Sequence, residues 1–255
     1  MNKTVILSLL KISKEIYCIM STATKMQYVQ CDPETYDDEI LVFLKEDEAK
    51  EKAKELLKEG IPVHIAKIPQ KNLLGFYSSL YVIGVNSIRV KMQYEPETVI
   101  QLDELIKRPA DNELPEGQKR IENPAFHLTA LYFMQIMRSA KAKERQEEAR
   151  ELSEELAAHF AKGTFIMAVQ EDNKIPLLRQ KISDEAKGAE ENSAAFQPIF
   201  TDMPEFMKFN MAKKFKPIVV DMKKIPELMA KEAKGVVVNA MGVNLIMQVG
   251  RTKEQ

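Results

Sequence analysis

Phe196-Gln197-Pro198-Ile199-Phe200-Thr201-Asp202-Met203-Pro204-Glu205-Phe206 changes its pattern midway. Residues 197–201 form a short apolar run of the kind that suits a buried strand. Thr201-Asp202 then precedes Pro204, and Glu205 follows three residues after Asp202. That is a capping arrangement, in which the Asp carboxylate accepts orphan N–H groups of a helix's first turn and Glu reaches back. Pro204 suits the first turn, where its missing N–H costs nothing. A strand therefore runs straight into a helix. Downstream, the sequence predicts a strand at 218–222 and a short helix opened by Pro226 and closed by Gly235. A last strand pair, 236–240 with 245–249, turns across Gly242-Val243-Asn244, because Gly and Asn tolerate the positive φ of tight hairpins.

The same pattern occurs earlier in the chain. Phe43 lies 157 positions before Phe200, with Leu44-Lys45 in place of Thr201-Asp202. At that offset Ile61-Pro62-Val63 meets Ile218-Val219-Val220, and Lys67-Ile68-Pro69 meets Lys224-Ile225-Pro226. Gly84-Val85-Asn86-Ser87-Ile88 recurs as Gly242-Val243-Asn244-Leu245-Ile246, 158 positions on. Ile12–Ile16 meets Leu152–Leu156, and Val29-Gln30 meets Val169-Gln170, at an offset of 140. An ordered series of offsets predicts an internal duplication, with a 17-residue insertion between Gln170 and Phe200.

Local signals follow the series. In the first copy they predict a helix ending near Thr22, strands at 25–30 and 39–44, and a helix over 46–59. Ala49, Ala53, Leu56 and Leu57 share one face of that helix. A strand at 61–66, a short helix opened by Pro69 and a pair of strands, 79–83 with 87–91, complete the copy. The second copy begins with a helix to Lys162, which a left-handed Gly163 would stop, then a strand at 164–170. The predicted fold class is α+β: two similar units, each a mixed β-sheet flanked by helices, in the order α-β-β-α-β-α-β-β. The predicted boundaries are 1–94 for the first unit, 95–122 for a linker, and 123–255 for the second unit with an added N-terminal helix. Pro96, Pro109, Pro115 and Gly117 mark the linker, with a short helix around 99–107. The stretch 124–162 has no Gly or Pro after Pro124, and one long helix or two shorter ones would both fit.

Composition narrows the function classes. The chain has 255 residues, 45% of them hydrophobic and 29% charged, with a net charge of −1. That balance argues against a dedicated nucleic-acid binder, which carries a clear basic excess. Its two cysteines, Cys18 and Cys31, form no C-x-x-C pair, and free thiols in a reducing cytosol are expected. The apolar run Val5–Leu10 is cut by Lys11, Lys14 and Glu15, too soon for a signal peptide. No run approaches the roughly 18 apolar residues of a membrane span. A cytoplasmic protein without membrane attachment is expected.

The segment Phe196–Phe206, followed by Lys224-Ile225-Pro226-Glu227-Leu228 and Gly235-Val236-Val237-Val238-Asn239, resembles the N-terminal domain of the SseB (enhanced serine sensitivity) family. Its members carry a proline–apolar–Phe–Thr strand entering a helix, then a short proline- or acid-led helix, then an apolar strand ending in Asn-Pro. Ala240 stands here where that Pro would be. The region 123–250 matches best, and the first copy is a diverged relative. The resemblance implies a bacterial, SseB-like protein with no established catalytic mechanism.

Catalytic signatures are missing. There is no His-x-x-x-His or His-Glu-x-x-His, no Gly-x-Ser-x-Gly, no phosphate-binding loop and no Gly-x-Gly-x-x-Gly. No catalytic, metal or cofactor-binding residue is assigned, and no cofactor is expected. His64 aligns with Asp221, so a polar position recurs between apolar neighbours. His127 and His159 lie on helical stretches and read as packing residues. Four weak binding candidates remain: His64, Asp221, Asn239 and Asn244. Cys18 sits among apolar residues, without the basic help a reactive thiolate needs.

Charge is uneven along the chain. Asp32 to Glu48 holds eight acids and one base, whereas Met203 to Lys234 holds eight lysines and four acids, with Phe206, Phe209 and Phe215 interleaved. Two solvated faces would explain both stretches. Complementary patches docking the halves or a partner are the sharper reading. Lysines on phosphate with Phe rings on bases would be the nucleic-acid reading, but the Phe spacing suits a helix core equally well. The expected function is a non-enzymatic binding module whose partner is another protein. The alternative is a small-ligand sensor or enzyme with a cleft between the two units.

Overall fold

A computed structural model of the chain describes residues 2–92, 95–110, 113–115, 119–181 and 193–250. The chain falls into two compact units, one made of Met1–Arg120 with His127–Leu156, the other of Ile121–Phe126 with Ala157–Gln255.

In the first unit, α1 (Lys3–Ile12) leads into β1 (Glu15–Ser21), followed by β2 (Met26–Gln27), β3 (Val29–Cys31) and β4 (Asp38–Phe43). Next come α2 (Glu46–Lys58), β5 (Val63–Pro69), α3 (Leu73–Val82), β6 (Ser87–Lys91), β7 (Thr98–Gln101) and α4 (Leu102–Leu105). Two further helices, α5 (Pro124–Met137) and α6 (Gln146–Lys162), form the stretch that fits one helix or two; residues 127–137 and 146–156 of them belong to the first unit, and residues 124–126 and 157–162 to the second. Ile40, Leu41, Val42 and Phe43 are all buried, so β4 is covered on both faces. On one face Leu41 and Phe43, with Tyr17 and Ile19 of β1, pack against Ala49, Ala53 and Leu56 of α2. The Tyr77 hydroxyl of α3 donates to the Leu10 carbonyl of α1 at 2.9 Å. The side-chain amide of Gln135, on α5, bonds both Val29 backbone groups, accepting from its N–H at 3.0 Å and donating to its C=O at 2.9 Å. It thereby occupies the outward backbone groups of Val29 much as another strand would.

The second unit contains β8 (Thr164–Val169), β9 (Leu178–Lys181), β10 (Ser193–Phe200), α7 (Met203–Phe209), β11 (Lys216–Asp221), α8 (Ile225–Leu228), β12 (Ala233–Val238) and β13 (Leu245–Met247). Asp202 caps α7 as its sequence predicts, its carboxylate accepting from the Glu205 N–H at 2.8 Å. Phe200 meets Phe206 and Phe209 with ring centroids 5.6 and 5.1 Å apart, which holds α7 on one face of the sheet. Phe165, on the other face, meets Phe126 and Phe160.

The two sheets repeat one topology. In the first the strands run β5-β1-β4-β6-β7, with β3 also on β4; in the second they run β11-β8-β10-β12-β13, with β9 on β10. Each sheet has one parallel contact, β4 with β6 and β10 with β12, among antiparallel ones. The α+β class with two similar mixed-sheet units is thus observed; the expected order α-β-β-α-β-α-β-β is followed apart from short additional strands, β2 and β3 in the first unit and β9 in the second, and α4 at the end of the first.

Several residue assignments need correction. The predicted helix to Thr22 ends at Ile12; Glu15–Ser21 is instead the central strand β1. It is buried from both sides, so its apolar run carries no alternation that would mark it as a strand. The predicted strand 79–83 is the end of α3, whose buried face is Leu73, Phe76, Tyr77 and Leu80. The antiparallel partner of 87–91 is therefore β7, from residues read as the start of a short helix. The first Gly-Val-Asn joins a helix to a strand, with Gly84 at φ +84°. The second, 242–244, does join the paired strands β12 and β13. Gly235 closes no helix but lies within β12, where a Cβ would stand 2.4 Å from the Met247 carbonyl oxygen. Gly163 is not left-handed; a Cβ there would meet the Phe165 ring at 2.5 Å. Gly117 and residues 182–192 of the predicted insertion lie outside the described residues.

The offsets change accordingly. Phe43 and Phe200 do correspond, each ending a strand three residues before a helix at Glu46 or Met203. By contrast, β5 and β11 end at Pro69 and Asp221, each followed by a 3-10 turn. Counting back from those ends, His64 corresponds to Lys216, and Val219 to Lys67.

Candidate interaction surface

The four candidate residues do not converge on one site. His64 is exposed on β5, opposite Met20. Asp221 is exposed at the end of β11, where its carboxylate accepts from the Thr164 hydroxyl at 2.7 Å. Asn244, at φ +48°, donates its N–H to the Asn239 carbonyl and accepts at its side-chain oxygen from Gln180 at 3.3 Å. Its role is to shape the β12–β13 turn.

Asn239 is fully buried at φ +50°. Its side chain accepts from the Thr201 N–H at 3.0 Å and donates to the Thr201 hydroxyl at 2.7 Å. That hydroxyl in turn donates to Asp202 at 2.6 Å. These residues tie together the carboxyl ends of the parallel strands β10 and β12. Thr201, Asp202 and Asn239 are each 0% exposed, so the cluster is a closed network and not an open site. Beside it, Gly242 leaves room for Glu205, since a Cβ would stand 2.6 Å from a carboxylate oxygen. Asn239→Ala removes both bonds to Thr201 and places a Cβ-bearing residue without a compensating side chain at positive φ. A loss of about 2–4 kcal/mol in urea unfolding is expected. A loss under about 0.5 kcal/mol would mean that the network does not support the strand ends.

A groove of ≈ 430 Å³ lies within the first unit, with walls that include Tyr28, Tyr132, Gln135 and Arg145. Gln135 is already committed to β3. Cys31 also lines this groove. Burial, with Asp38 and Asp32 nearby, pushes its thiol above the ordinary range. Cys18 is enclosed, and burial pushes its thiol much further up. Iodoacetamide should therefore label Cys31 alone in the folded chain, more slowly than a free thiol at pH 8 and faster as pH rises. Rapid labelling of both thiols would contradict this burial pattern. Among the described residues no group of three or more His, Cys, Asp or Glu is placed to hold a metal ion, and no helix is long and apolar enough to cross a membrane.

The outer edge of the second sheet has a different character. β11 reads Lys216-Pro217-Ile218-Val219-Val220-Asp221, and every residue but Val220 is exposed. Met222 donates its N–H to the Gly163 carbonyl at 3.0 Å, which sets the alternation along the strand. Residues 218 and 220 turn their backbone groups toward β8. Val219 turns N–H and C=O outward, Asp221 its N–H and Pro217 only its C=O, the Asp221 carbonyl being taken by the 3-10 turn it caps. Val219 is 55% exposed and Ile218 39%.

The cause lies in the covering helix. In the first unit α2 runs for 13 residues and packs Ile65 of β5 into the core. Lys67, the counterpart of Val219, pairs with Glu15 at 2.6 Å and places charge on that edge. In the second unit α7 has only 7 residues, and its core cluster reaches Phe209 and Phe215 but not Val219. Other exposed apolar side chains lie nearby in sequence: Met203, Met207, Met211 and Leu228. Periodicity located this strand, but exposure along one edge depends on strand order, which no local pattern encodes.

The fold and this edge define an α+β chain of two like mixed-sheet units, the second with an uncovered outer strand. No protein-family model and no curated protein matches the chain. Among solved structures it is similar to Tic22 from Plasmodium falciparum, at 12% identity over 91% of this chain and 90% of that one, with a TM-score of 0.24. It is also similar to Anabaena Tic22, a protein-transport protein, at 12% identity over 88% and 84%, with a TM-score of 0.22. Likeness at this level assigns neither family nor function.

Proposed function

We propose that the chain is a non-enzymatic protein-binding module, bacterial, cytoplasmic and SseB-like, with its docking surface on the second unit. The observation that supports this reading is β11, a six-residue edge strand with exposed Ile218 and Val219. Such edges are templates for pairing with another chain, and sequences normally guard them with charge or a covering element. Methionines suit the surrounding surface because their flexible side chains adapt to varied partners. The partner is a protein and not a nucleic acid. Phe206 is buried, and Phe209 and Phe215 stack on each other at 5.3 Å instead of standing free for bases. The test is a benzophenone side chain placed at Val219, or at Lys67 as a control, in the full chain inside cells. Discrete protein adducts are expected at 219 and not at 67. Adducts at neither position, or equally at both, would refute the reading.

A further inference from the structure

We infer that β11 receives an extended acidic segment of another protein, which joins the second sheet as a new outermost strand. This rests on the protein-binding reading above and gives the partner its chemistry. Three observations carry it. The edge offers backbone groups in strand register: outward N–H at Val219 and Asp221, and outward C=O at Pro217 and Val219. Strand addition uses such a row for affinity and alternate side chains for specificity.

The second observation is charge. Lys213, Lys214 and Lys216 lie at the start of β11 and Lys223 and Lys224 just past its end, all exposed. Among the described residues no carboxylate pairs with any of these five, whereas Lys67 on the corresponding edge of the first unit is paired with Glu15. Six residues of strand span about 20 Å, so a segment lying along β11 would meet lysines at both ends. Acidic residues at its two ends complement them. A second copy of this chain would bring the same lysines face to face, which like-charge repulsion disfavours.

The third observation is the missing cover. Because α7 stops at Phe209, Val219 has no helix over it on the α7 face of the sheet. A β-branched or aromatic side chain on the incoming strand would pack there as a cross-strand neighbour. The preferred segment therefore has an apolar, alternating centre and acidic ends. Pro217 adds a restriction, since an incoming carbonyl opposite it finds no donor.

The test uses the full chain and a fluorescent peptide, Asp-Glu-Val-Thr-Val-Thr-Glu-Asp, by anisotropy and by amide exchange. Binding should slow exchange at the Val219 and Asp221 amides. Replacing the four acids of the peptide with lysines should weaken binding by about tenfold or more, and raising salt toward 0.5 M should weaken the acidic peptide too. Val219→Lys in the protein, or N-methylation of alternate peptide amides, should each weaken binding by about tenfold. Val219 is exposed, so its replacement leaves the core intact. Failure of the peptide to bind, or equal binding of the N-methylated peptide, would overturn the inference. Adducts at 219 in cells without acidic-strand binding would leave the docking surface standing and remove only the strand chemistry. A dimer that Val219→Lys converts to monomer in sedimentation would make a second copy the occupant and also overturn it.

Discussion

Replacing Arg89 with alanine should cost the first unit about 3–5 kcal/mol, among the largest effects of any single substitution in the chain. Arg89, on β6, donates Nε–H to Glu39 at 2.6 Å, pairs closely with Asp32, and reaches Glu97 at 3.4 Å. The Glu39 side chain is fully buried. One of its oxygens also accepts from Gln30 at 2.6 Å, while the other has no hydrogen-bond partner. Glu39 and Leu41 stand opposite Ser87 and Arg89 in register, so the guanidinium reaches Glu39 across a strand diagonal. Without Arg89 the carboxylate keeps only the Gln30 amide, and an uncompensated buried charge is expensive. The hydrogen bond that Arg89 donates to Glu39, with the nearby Glu39, Asp32 and Glu97 charges, raises the Arg89 pKa and keeps the guanidinium protonated. Asp32 is held below the usual carboxylate range, chiefly by backbone N–H groups of Thr35 and Glu34. Its stabilising contribution is present above the unfolded-state pKa and disappears as pH falls through the lower folded value. Urea unfolding at pH 7 measures the Arg89 loss. The double variant Glu39→Leu with Arg89→Met should recover most of it, because neither charge is then buried alone. A single-variant loss under about 1 kcal/mol would reclassify the cluster as a surface network.

Phe43→Ala and Phe200→Ala should each cost about 3–5 kcal/mol, through lost burial and an unfilled cavity. Both side chains are 0% exposed and both end a strand three residues before a covering helix. Their neighbourhoods differ. Phe43 is held in a cluster with Tyr17, Ile19 and three residues of α2, whereas Phe200 is the ring on which Phe206 and Phe209 of the short α7 rest. Phe200→Ala should therefore speed amide exchange throughout α7 at least as much as in β10, while Phe43→Ala leaves the longer α2 protected at its C-terminal turns. Equal exchange of both helices would show that length does not set their anchoring. A loss below about 1 kcal/mol in either variant would contradict the packing.

The likeness of the two units was legible because their strand-to-helix junctions have the same length. Phe43 and Phe200 keep an offset of 157 through Glu48 and Glu205, the third residues of α2 and α7, both buried. Elsewhere the loops and helix lengths differ, so matches of three or four letters misled. Lys67-Ile68-Pro69 and Lys224-Ile225-Pro226 share letters but not positions in the fold. Leu73, Phe76, Tyr77 and Leu80 carried a readable helical period, yet the repeated Gly-Val-Asn drew the reading toward a hairpin. Of the candidate site, only the lysine excess and Asp221 could be seen beforehand. That β11 lies at an edge follows from pairing among segments far apart in the chain, and its exposure from a helix that ends early. Both are long-range facts.

The Gln135 amide on the Val29 backbone has a consequence for how the first unit could change over generations. One glutamine satisfies both outward groups of Val29, so a single codon separates a covered position on that strand margin from an open one. Gln135→Leu would uncover two backbone groups of β3 at once without altering any strand. A unit carrying such a one-residue latch can acquire or lose a contact surface in a single mutational step, with its strands left as they are.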